Sequence, residues 1–270
     1  MRSLPAFEHS RPQQLGEAID LLEADALPYH GGTELLAVMR IGLLQPRRLV
    51  DLKHVAGLGD IRLEEDRLVL GAGATHLQVA TSPEVKRAEP VLAEVCDRVG
   101  NIRVRASGTL GGNLCFAEPR SDLATVLCAL GADVELRSSQ GSRSLTLDEF
   151  ILGGYTVELE PGELLTSVTV PRVPTRTAVY RKFQTAERPT VGVAITATSG
   201  APSAVRVVVG AVTDRPLIVE VDNLENVDPE AIAQEVEVIE DLGGAEDYKR
   251  HVTATTIRRT IADLAGGAPS

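Results

Sequence analysis

Cysteine is scarce in this 270-residue sequence, and its spacing excludes the usual cysteine-based metal centres. Cys96, Cys115 and Cys128 stand far apart, and no two of them form a C-x-x-C pair. Zinc sites and iron–sulfur clusters need closely spaced ligand sets, and an odd, sparse set does not build a disulfide framework. We therefore expect three small buried side chains, and any redox chemistry here would need a cofactor other than an iron–sulfur cluster.

Positive charge is also in short supply, which restricts the kind of partner. The chain has 27 Lys and Arg against 38 Asp and Glu, so its formal net charge is -11. Binding to a nucleic-acid backbone depends on clustered cations. We therefore expect no nucleic-acid partner.

Long apolar runs are missing as well. No stretch of about 18 apolar residues occurs, so no membrane-spanning helix is expected. The opening residues, MRSLPAFEHSRPQQ, have no apolar core of the signal-peptide kind. These absences predict a soluble, cytoplasmic protein.

Recognisable acid–base and metal-binding patterns are absent too. The five histidines are scattered, and no pair has the helical spacing of metal ligands. No Ser-His-Asp set can be assigned from residue order alone. We expect no metal site and no catalytic side chain, so a bound cofactor would have to carry any chemistry.

Hydrophobic periodicity predicts a mixture of helices and strands. Helices are expected at 12–24 (ended by Pro28), after YHGG, at 83–99, at 123–130 with Gly131 as C-cap, at 228–242 and at 252–266. Strands are expected at RRLVDL, RLVLGAG, ADVELRS, GSRSLTL, ELLTSVTVP, VGVAITATS and AVRVVVGAVT. Because helices and strands do not alternate strictly, the pattern favours an α+β fold over a doubly wound sheet.

A composition change near residue 174 indicates a domain boundary. The segment VPRVPTRTAV, residues 170–179, contains two prolines and two threonines between strand-like stretches. We expect one domain at 1–173 and a smaller α+β domain at 174–270.

Two consecutive glycines in HGGTE, His30 to Glu34, point to an anion site. Glycine leaves backbone N–H groups unobstructed, and the helix that follows adds its positive end, which suits a pyrophosphate. Thr33 and Glu34 stand where that helix starts and suit its cap and dipole. A tight turn with a helix cap explains the same residues, and this motif alone favours neither interpretation.

A second glycine-rich turn is SGTLGGN, Ser107 to Asn113. Its hydroxyl and amide side chains can donate to phosphate or ribose oxygens. Asp122 then begins an apolar helix, where it would be an N-cap, a hydrogen-bond acceptor for a ribose or adenine, or both. Arg103 and Arg105 could steer a phosphate-bearing ligand, although solvated arginines are common near turns.

A third glycine motif, GAGATH from Gly71 to His76, is a weaker signal. It follows a strand, as a dinucleotide fingerprint does, but the third glycine is missing. No acidic residue closes a βαβ unit about 20 residues later. A plain strand-to-loop turn is the favoured interpretation.

In their order, these motifs resemble the FAD-binding medium subunit of the molybdenum hydroxylases, the family of carbon monoxide dehydrogenase, xanthine dehydrogenase and related aldehyde, nicotine and quinoline oxidoreductases. HGGTELL is similar to the family's AGGT-D-L loop. RASGTLGGN followed by Asp122 is similar to its R-x-x-GT-x-GGN loop and later aspartate. The flanks LPAFEHSRPQQLGEAIDLL, QPRRLVDLKHVAGLGDI, LDEFILGGYTVELEPGELLTSVTVP and YRKFQTAERPTVGVA resemble the family as well. The resemblance covers nearly all of residues 1–200 and weakens afterwards.

The resemblance implies a fold and a set of contacts with FAD. The fold is α+β, with a p-cresol-methylhydroxylase-type FAD-binding domain of two subdomains at 1–173 and a C-terminal domain of the carbon monoxide dehydrogenase flavoprotein type at 174–270. The implied FAD-binding residues are Pro28, Tyr29, His30, Gly31, Gly32, Thr33, Glu34, Leu35, Thr109, Leu110, Gly111, Gly112, Asn113, Asp122, Leu165 and Lys182. The first eight would wrap the pyrophosphate and approach the flavin, and the next five would form a second wall. Leu165 and Lys182 come from the resemblance alone.

The same resemblance implies an electron-transfer subunit. A large partner subunit would hold the molybdenum cofactor, and a small partner subunit would hold two [2Fe–2S] clusters. The FAD of this chain would receive the electrons and pass them to NAD, a quinone or oxygen, within a dimer of heterotrimers. Two alternatives remain open: a self-sufficient FAD oxidoreductase of the same fold, and an assembly subunit without flavin.

The sequence departs from the family pattern at two places. His30 replaces a frequent alanine, and Ala106 and Ser107 replace a frequent Asn-Arg pair. We infer no covalent flavin link from His30. The iron–sulfur variant of this subunit is not expected, because no four-cysteine insertion is present.

Overall fold

The computed structural model describes residues 4–22, 25–199, 204–241 and 243–266. The strands are β1 (Glu8–Ser10), β2 (Ala26–Tyr29), β3 (Arg48–Asp51), β4 (Ile61–Leu63), β5 (Arg67–Gly71), β6 (Asp133–Ser138), β7 (Gly141–Thr146), β8 (Ile151–Gly153), β9 (Thr156–Val157), β10 (Leu164–Pro171), β11 (Arg176–Phe183), β12 (Val191–Thr198), β13 (Ala204–Gly210) and β14 (Leu217–Val221). The α-helices are α1 (Leu15–Asp20), α2 (Leu35–Ile41), α3 (His76–Thr81), α4 (Pro83–Ala88), α5 (Pro90–Asp97), α6 (Ile102–Ser107), α7 (Leu110–Phe116), α8 (Asp122–Ala129), α9 (Leu147–Phe150), α10 (Pro229–Glu235) and α11 (Glu246–Gly266).

The strands form three main sheets and a small hairpin. A parallel three-stranded sheet has the order β1-β3-β2, and an antiparallel five-stranded sheet has the order β4-β5-β10-β6-β7. The antiparallel four-stranded sheet β11-β12-β13-β14 follows, and β8 pairs with β9. The parallel sheet is a short βαβαβ segment, but the strands of the two larger antiparallel sheets do not alternate with helices, which confirms the α+β prediction.

The four-stranded sheet is covered on both faces, which explains its apolar sequence. Helix α8 packs on β12 and β13, and helix α11 packs on β11 and β12. A strand buried on both faces reads as a continuous apolar run rather than an alternation. Accordingly, the first six residues of β12, VGVAIT, are all buried.

The predicted domain boundary falls between two elements of the structure. Strand β10 ends at Pro171, and β11 begins at Arg176. One apolar core lies mainly before this point and a second lies after it, but Ala194 and Val208 of the four-stranded sheet pack into the first core. The division at 173/174 therefore stays a prediction.

Three predicted helices have different bounds in the structure. The helix expected at 12–24 is α1, Leu15–Asp20; Glu23 and Ala24 lie outside the described residues. Pro28 does not end this helix but lies within β2. The C-terminal helix begins earlier than expected, at Glu246. The helix expected at 228–242 ends at Glu235, and Leu242 is outside the described part.

A proline divides the helix that was expected at 83–99. Helix α4 ends at Ala88, and α5 starts at Pro90. Glu89 between them has φ -142° and ψ 76°, outside the helical region, because the proline ring clashes with the backbone of a helical residue before it. The apolar periodicity continues through the break and conceals it in the sequence.

The second glycine motif is largely helical rather than a turn. Helix α6 ends at Ser107, and α7 includes Gly111 and Gly112. The N-cap of α7 is Thr109, whose Oγ1 accepts a hydrogen bond from the N–H of Gly112 at 3.2 Å. The prediction of a glycine turn is therefore wrong over most of this segment.

Asp122 is not the cap of α8. Ser121 is the N-cap, and its Oγ accepts from the N–H of Ala124, so Asp122 is the first helical residue. At the other end, Gly131 follows the C-cap Leu130 with φ +68°, the left-handed conformation that favours glycine there. The expected glycine at the end of α8 is confirmed.

None of the helices in the described ranges is long and apolar enough to cross a membrane. The longest, α11, carries charged residues along its length.

Candidate functional site

One cavity of about 700 Å³ collects residues from several elements that are distant in the chain. It is bounded by the segment between β2 and α2, the start of α7, the start of α8, strand β10 and the end of β11. Fifteen of the sixteen residues predicted to bind a cofactor line it: Pro28, Tyr29, His30, Gly31, Gly32, Thr33, Glu34, Leu35, Thr109, Gly111, Gly112, Asn113, Asp122, Leu165 and Lys182. Leu110 is fully buried behind the wall and does not line the cavity.

The two glycine motifs touch each other through their backbones. A Cβ atom at Gly31 would overlap the carbonyl oxygen of Ser107 and lie 2.9 Å from the Cα of Gly108. Gly32 has φ +68°, a conformation that side-chain-bearing residues rarely adopt. Glycine is thus required at 31 by close packing and at 32 by the turn itself.

The first motif offers backbone donors to the cavity. Within the described ranges, no hydrogen bond uses the N–H groups of residues 31–34. Glu34 occupies the N-cap position of α2, but its side chain makes no capping hydrogen bond. Instead its Oε1 accepts from Arg188 Nη2 at 2.8 Å. The predicted side-chain cap by Glu34 is therefore wrong, whereas an open set of N–H groups is present.

The second motif does not offer free backbone donors. The N–H of Leu110 donates to Ala74, and that of Gly111 donates to Ala72 at 2.8 Å. The N–H of Gly112 is taken by Thr109. The second motif therefore does not fit the expectation that both motifs are backbone cradles, because its N–H groups hold α7 against residues 72–74. For the first motif, whose N–H groups stay open, the cradle remains a prediction.

What the second motif presents to the cavity is a small surface and an amide. Gly112 is exposed, and a Cβ there would approach only the Thr109 Oγ1, at 2.9 Å. Asn113 Oδ1 accepts from Ser121 Oγ at 2.7 Å, which fixes the amide. Its amide nitrogen has no acceptor among the described residues, so it can donate to a ligand.

The third glycine motif, GAGATH, lines part of the cavity and packs against α7. Ala72 and Gly73 line the cavity and lie in the loop between β5 and α3. A Cβ at Gly111 would lie 2.7 Å from the Cβ of Ala72, so α7 rests directly on this loop. The favoured interpretation, a strand-to-loop turn, agrees with the geometry.

Two histidines in the cavity wall are held neutral. Burial lowers the pKa of His76 to about 4. Burial, together with the charge of Lys53, lowers the pKa of His30, and Asp51 opposes this. The Nδ1 atoms of both rings are buried without a protein partner among the described residues. Neither ring is placed to shuttle protons near neutral pH.

Asp122 and Lys182 form an ion pair that crosses between the two cores. Lys182 Nζ lies 2.9 Å from Asp122 Oδ2, and the other carboxylate oxygen accepts from the buried Tyr180 hydroxyl. Burial and the neighbouring carboxylate raise the pKa of Tyr180 well above its ordinary value. The sequence indicated a surface lysine at 182, but only a fifth of its side chain is exposed.

An apolar wall completes the cavity. Leu165 in β10 is buried and lines the cavity together with eight other leucines, among them Leu27, Leu52, Leu58 and Leu164. Cys115 also lines the cavity and is partly accessible, whereas Cys96 and Cys128 are buried as expected. Burial raises the pKa of Cys115 to about 12, so this thiol stays protonated.

Sequence reasoning missed residues 184–189, although four of them line the cavity: Gln184, Glu187, Arg188 and Pro189. They follow β11, and their sequence carries no glycine motif or charge pattern. Tertiary contacts bring this loop to the cavity, among them the pairing of Lys182 at the end of β11 with Asp122 at the start of α8. Within the described ranges, no cluster of His, Cys, Asp or Glu could hold a metal ion.

Comparison with known families agrees with this geometry. Residues 5–173 match the model for the FAD binding domain in molybdopterin dehydrogenase. The chain belongs to this family. This confirms the resemblance based on HGGTELL and RASGTLGGN.

Curated relatives are medium subunits of multi-subunit dehydrogenases. The nicotine 6-hydroxylase medium subunit of Paenarthrobacter nicotinovorans is 31% identical over 279 residues, covering 96% of this chain and 98% of the relative. The carbon monoxide dehydrogenase medium chain of Afipia carboxidovorans is 33% identical over 173 residues, covering 63% of this chain and 60% of the relative. This protein is thus an oxidoreductase flavoprotein subunit of the molybdopterin dehydrogenase family.

Solved structures extend the likeness to the C-terminal part. Carbon monoxide dehydrogenase from Hydrogenophaga pseudoflava matches with a TM-score of 0.91 and 28% identity, covering 99% of this chain and 100% of that one. Quinoline 2-oxidoreductase from Pseudomonas putida 86 matches with a TM-score of 0.89 and 29% identity, covering 98% and 99%. The family fold therefore includes the four-stranded sheet, where the sequence resemblance was weak.

Proposed function

We propose that this protein is the FAD-containing electron-transfer subunit of a molybdenum hydroxylase, and that its 700 Å³ cavity is the FAD site. The observation that carries the proposal is the convergence of fifteen of the sixteen predicted residues on one cavity. Membership of the FAD-binding family supports the cofactor class.

The residues present fit FAD. The unused N–H groups of residues 31–34 suit the pyrophosphate, because an anion needs several backbone donors that no protein acceptor competes for. Asn113 and Asp122 supply a hydrogen-bond donor and an acceptor for a ribose or adenine. The leucine wall around Leu165 suits an aromatic ring system, since most small-molecule sites are apolar with a few placed polar groups.

Bound FAD would supply the redox chemistry, which no side chain of this site can provide. The protein's own residues would bind FAD, orient it and exclude water from it. Lys182 neutralises the charge of Asp122, so the largely buried carboxylate is not left uncompensated beside the anionic cofactor. Burial lowers the pKa of His30 and of His76, which favours the neutral form of both rings in the cavity wall.

The partners and the acceptor follow from the family. We propose that electrons arrive from two [2Fe–2S] clusters on a small subunit, after substrate oxidation at a molybdenum cofactor on a large subunit. From the FAD of this chain, the electrons pass to NAD, a quinone or oxygen. A cytoplasmic dimer of heterotrimers is the expected assembly. The substrate would be set by the large subunit.

Purification from the native host tests the proposal. Two further chains should co-elute with this one, and the complex should show flavin and iron–sulfur absorption. Substrate should bleach the flavin band of the complex but not that of the isolated chain.

Two results would contradict this function. Full substrate turnover by the isolated chain would support a self-sufficient FAD oxidoreductase. A colourless, flavin-free chain after gentle purification would support an assembly subunit.

A further inference from the structure

Arg188 connects the loop after β11 to two other segments of the chain. Its Nη2 donates to Glu34 Oε1 at 2.8 Å, and its Nη1 lies 3.6 Å from Glu118 Oε2. Glu34 belongs to the first glycine motif, and Glu118 follows α7. One guanidinium therefore ties the loop to Glu34, which lines the cavity, and to the buried Glu118 after α7.

Glu118 is a fixed anchor for this bridge. It is buried, and its carboxylate accepts from the Tyr155 hydroxyl at 2.8 Å and from Arg120 Nε at 3.1 Å. Burial raises the pKa of Glu118, but the Tyr155 hydrogen bond and the charges of Arg188 and Arg120 outweigh it and leave the pKa below its ordinary value. The carboxylate of Glu118 is thus ionised beside Arg188, and Tyr155 and Arg120 hold it in place.

The loop that carries Arg188 has few other attachments. Residues 184–187 are exposed, and a backbone hydrogen bond from Thr190 to Phe183 closes the base of the loop at 2.8 Å. In the part of the chain that the structure describes, no other side chain of residues 184–190 pairs with residues before 174. Without the guanidinium, the exposed part of this loop is held only at its base.

We propose that Arg188 is a positioning residue that clasps the 184–189 loop across the cavity and slows the release of FAD. The inference rests on the proposed FAD site. Four residues of this loop, Gln184, Glu187, Arg188 and Pro189, line the cavity, so holding the loop in place would restrict the escape of a cofactor bound there. A bidentate-capable guanidinium suits this role because it can pair with two carboxylates at once.

The test is the rate of FAD release from the native complex. Loaded complex is diluted far enough that released FAD does not rebind, and the fluorescence of the free FAD reports the dissociation rate constant. Arg188→Gln should release FAD about tenfold faster, the effect expected for losing a partly exposed charge-assisted contact. Arg67→Gln is the matched control, because Arg67 forms an exposed ion pair with Glu64 and does not line the cavity.

Further variants separate a clasp from general loosening of the fold. Glu34→Gln should also speed release, and the double variant with Arg188→Gln should be no faster than Arg188→Gln alone. Arg188→Lys should be intermediate, since one ammonium cannot span both carboxylates. Salt should speed release from the wild type but hardly from Arg188→Gln. The melting temperature of the apo form should change little in these variants.

Several outcomes would contradict this role of Arg188 in slowing FAD release. Equal release rates for wild type and Arg188→Gln would do so, as would independent effects of Glu34→Gln and Arg188→Gln. A wild-type complex that holds no FAD would instead refute the proposed function, so the two failures can be told apart.

Discussion

Glycines 31, 111 and 112 look alike in the sequence but have different surroundings. Gly31 and Gly111 lie against neighbouring backbone or side chains, where an added Cβ would collide. Gly112 lines the cavity, where an added side chain would meet little protein. Packing therefore explains the first two glycines, and access to a ligand explains the third.

Gly112→Val should lower FAD occupancy more than it lowers stability. The new side chain would project from the exposed start of α7 into the cofactor space and would disturb only the Thr109 hydroxyl. The flavin-to-protein absorbance ratio of the purified complex measures occupancy. Gly16→Val is the control, because Gly16 lies on exposed helix α1 with no atom within 4 Å of an added Cβ. Full flavin content in Gly112→Val would refute this assignment.

His76 should make the fold sensitive to mild acid. Burial lowers its folded pKa to about 4, whereas the unfolded chain has the ordinary value near 6.5. The unfolded state therefore binds the proton first, and stability present above pH 6.5 is lost as the pH falls towards 4. Between pH 7 and 5.5 the loss from His76 should be about 1 kcal/mol.

Urea unfolding of the wild type and His76→Gln at those two pH values measures this effect. The free energy of unfolding of His76→Gln should depend less steeply on pH than that of the wild type. His30, whose pKa is also lowered, should contribute to the dependence that remains. Identical slopes for the two proteins would show that His76 does not supply the effect.

At the scale of elements, short helix α7 is positioned by its neighbours rather than by its own sequence. Its first N–H groups donate to the loop after β5, and Thr109 caps it. Helix α8 is positioned in turn by β11, through the contacts of Asp122 with Tyr180 and Lys182. The cofactor-facing ends of both helices are thus fixed by tertiary contacts.

Tyr180→Phe should weaken the link between α8 and β11. The buried hydroxyl donates to Asp122, so its loss leaves a carboxylate oxygen unsatisfied and should cost about 1–2 kcal/mol of unfolding free energy. Urea unfolding of the apo chain measures this cost. Tyr248→Phe is the control, because Tyr248 is exposed and its hydroxyl has no partner among the described residues. An equal loss in both variants would contradict the role of the Asp122 contact.

At the scale of the whole molecule, the cavity is lined from both cores. Residues from the first glycine motif to β10 form most of the wall, and Lys182 with the 184–189 loop completes it from the four-stranded sheet. A ligand in this cavity would contact both cores and would stabilise them together.

FAD should therefore raise the melting temperature of the protein as one unit. At a free concentration 100 times the dissociation constant, binding adds about 2.7 kcal/mol. For a chain of this size the shift should be about 5–10 °C. Differential scanning calorimetry of the apo chain with and without FAD measures it, with riboflavin as the control for the pyrophosphate contacts. A split transition in which only one part shifts would show that FAD contacts a single core.

The sequence by itself determined the α+β class, the family and fifteen of the residues that line the cavity. It could do so because each glycine motif is a run of consecutive residues, and the order of the motifs along the chain can be read directly. It misassigned the caps at Glu34 and Asp122 and the break at Pro90, because residue type alone does not say which neighbour a side chain or N–H group will find.

Only the tertiary structure decided what the two glycine motifs do. The N–H groups of the first stay open, whereas those of the second are used by residues 72–74. It also placed Arg188 at the cavity mouth and paired Lys182 with Asp122. These arrangements join residues that are tens to more than a hundred positions apart, and the close packing of strands and helices sets such distances, which no local pattern encodes.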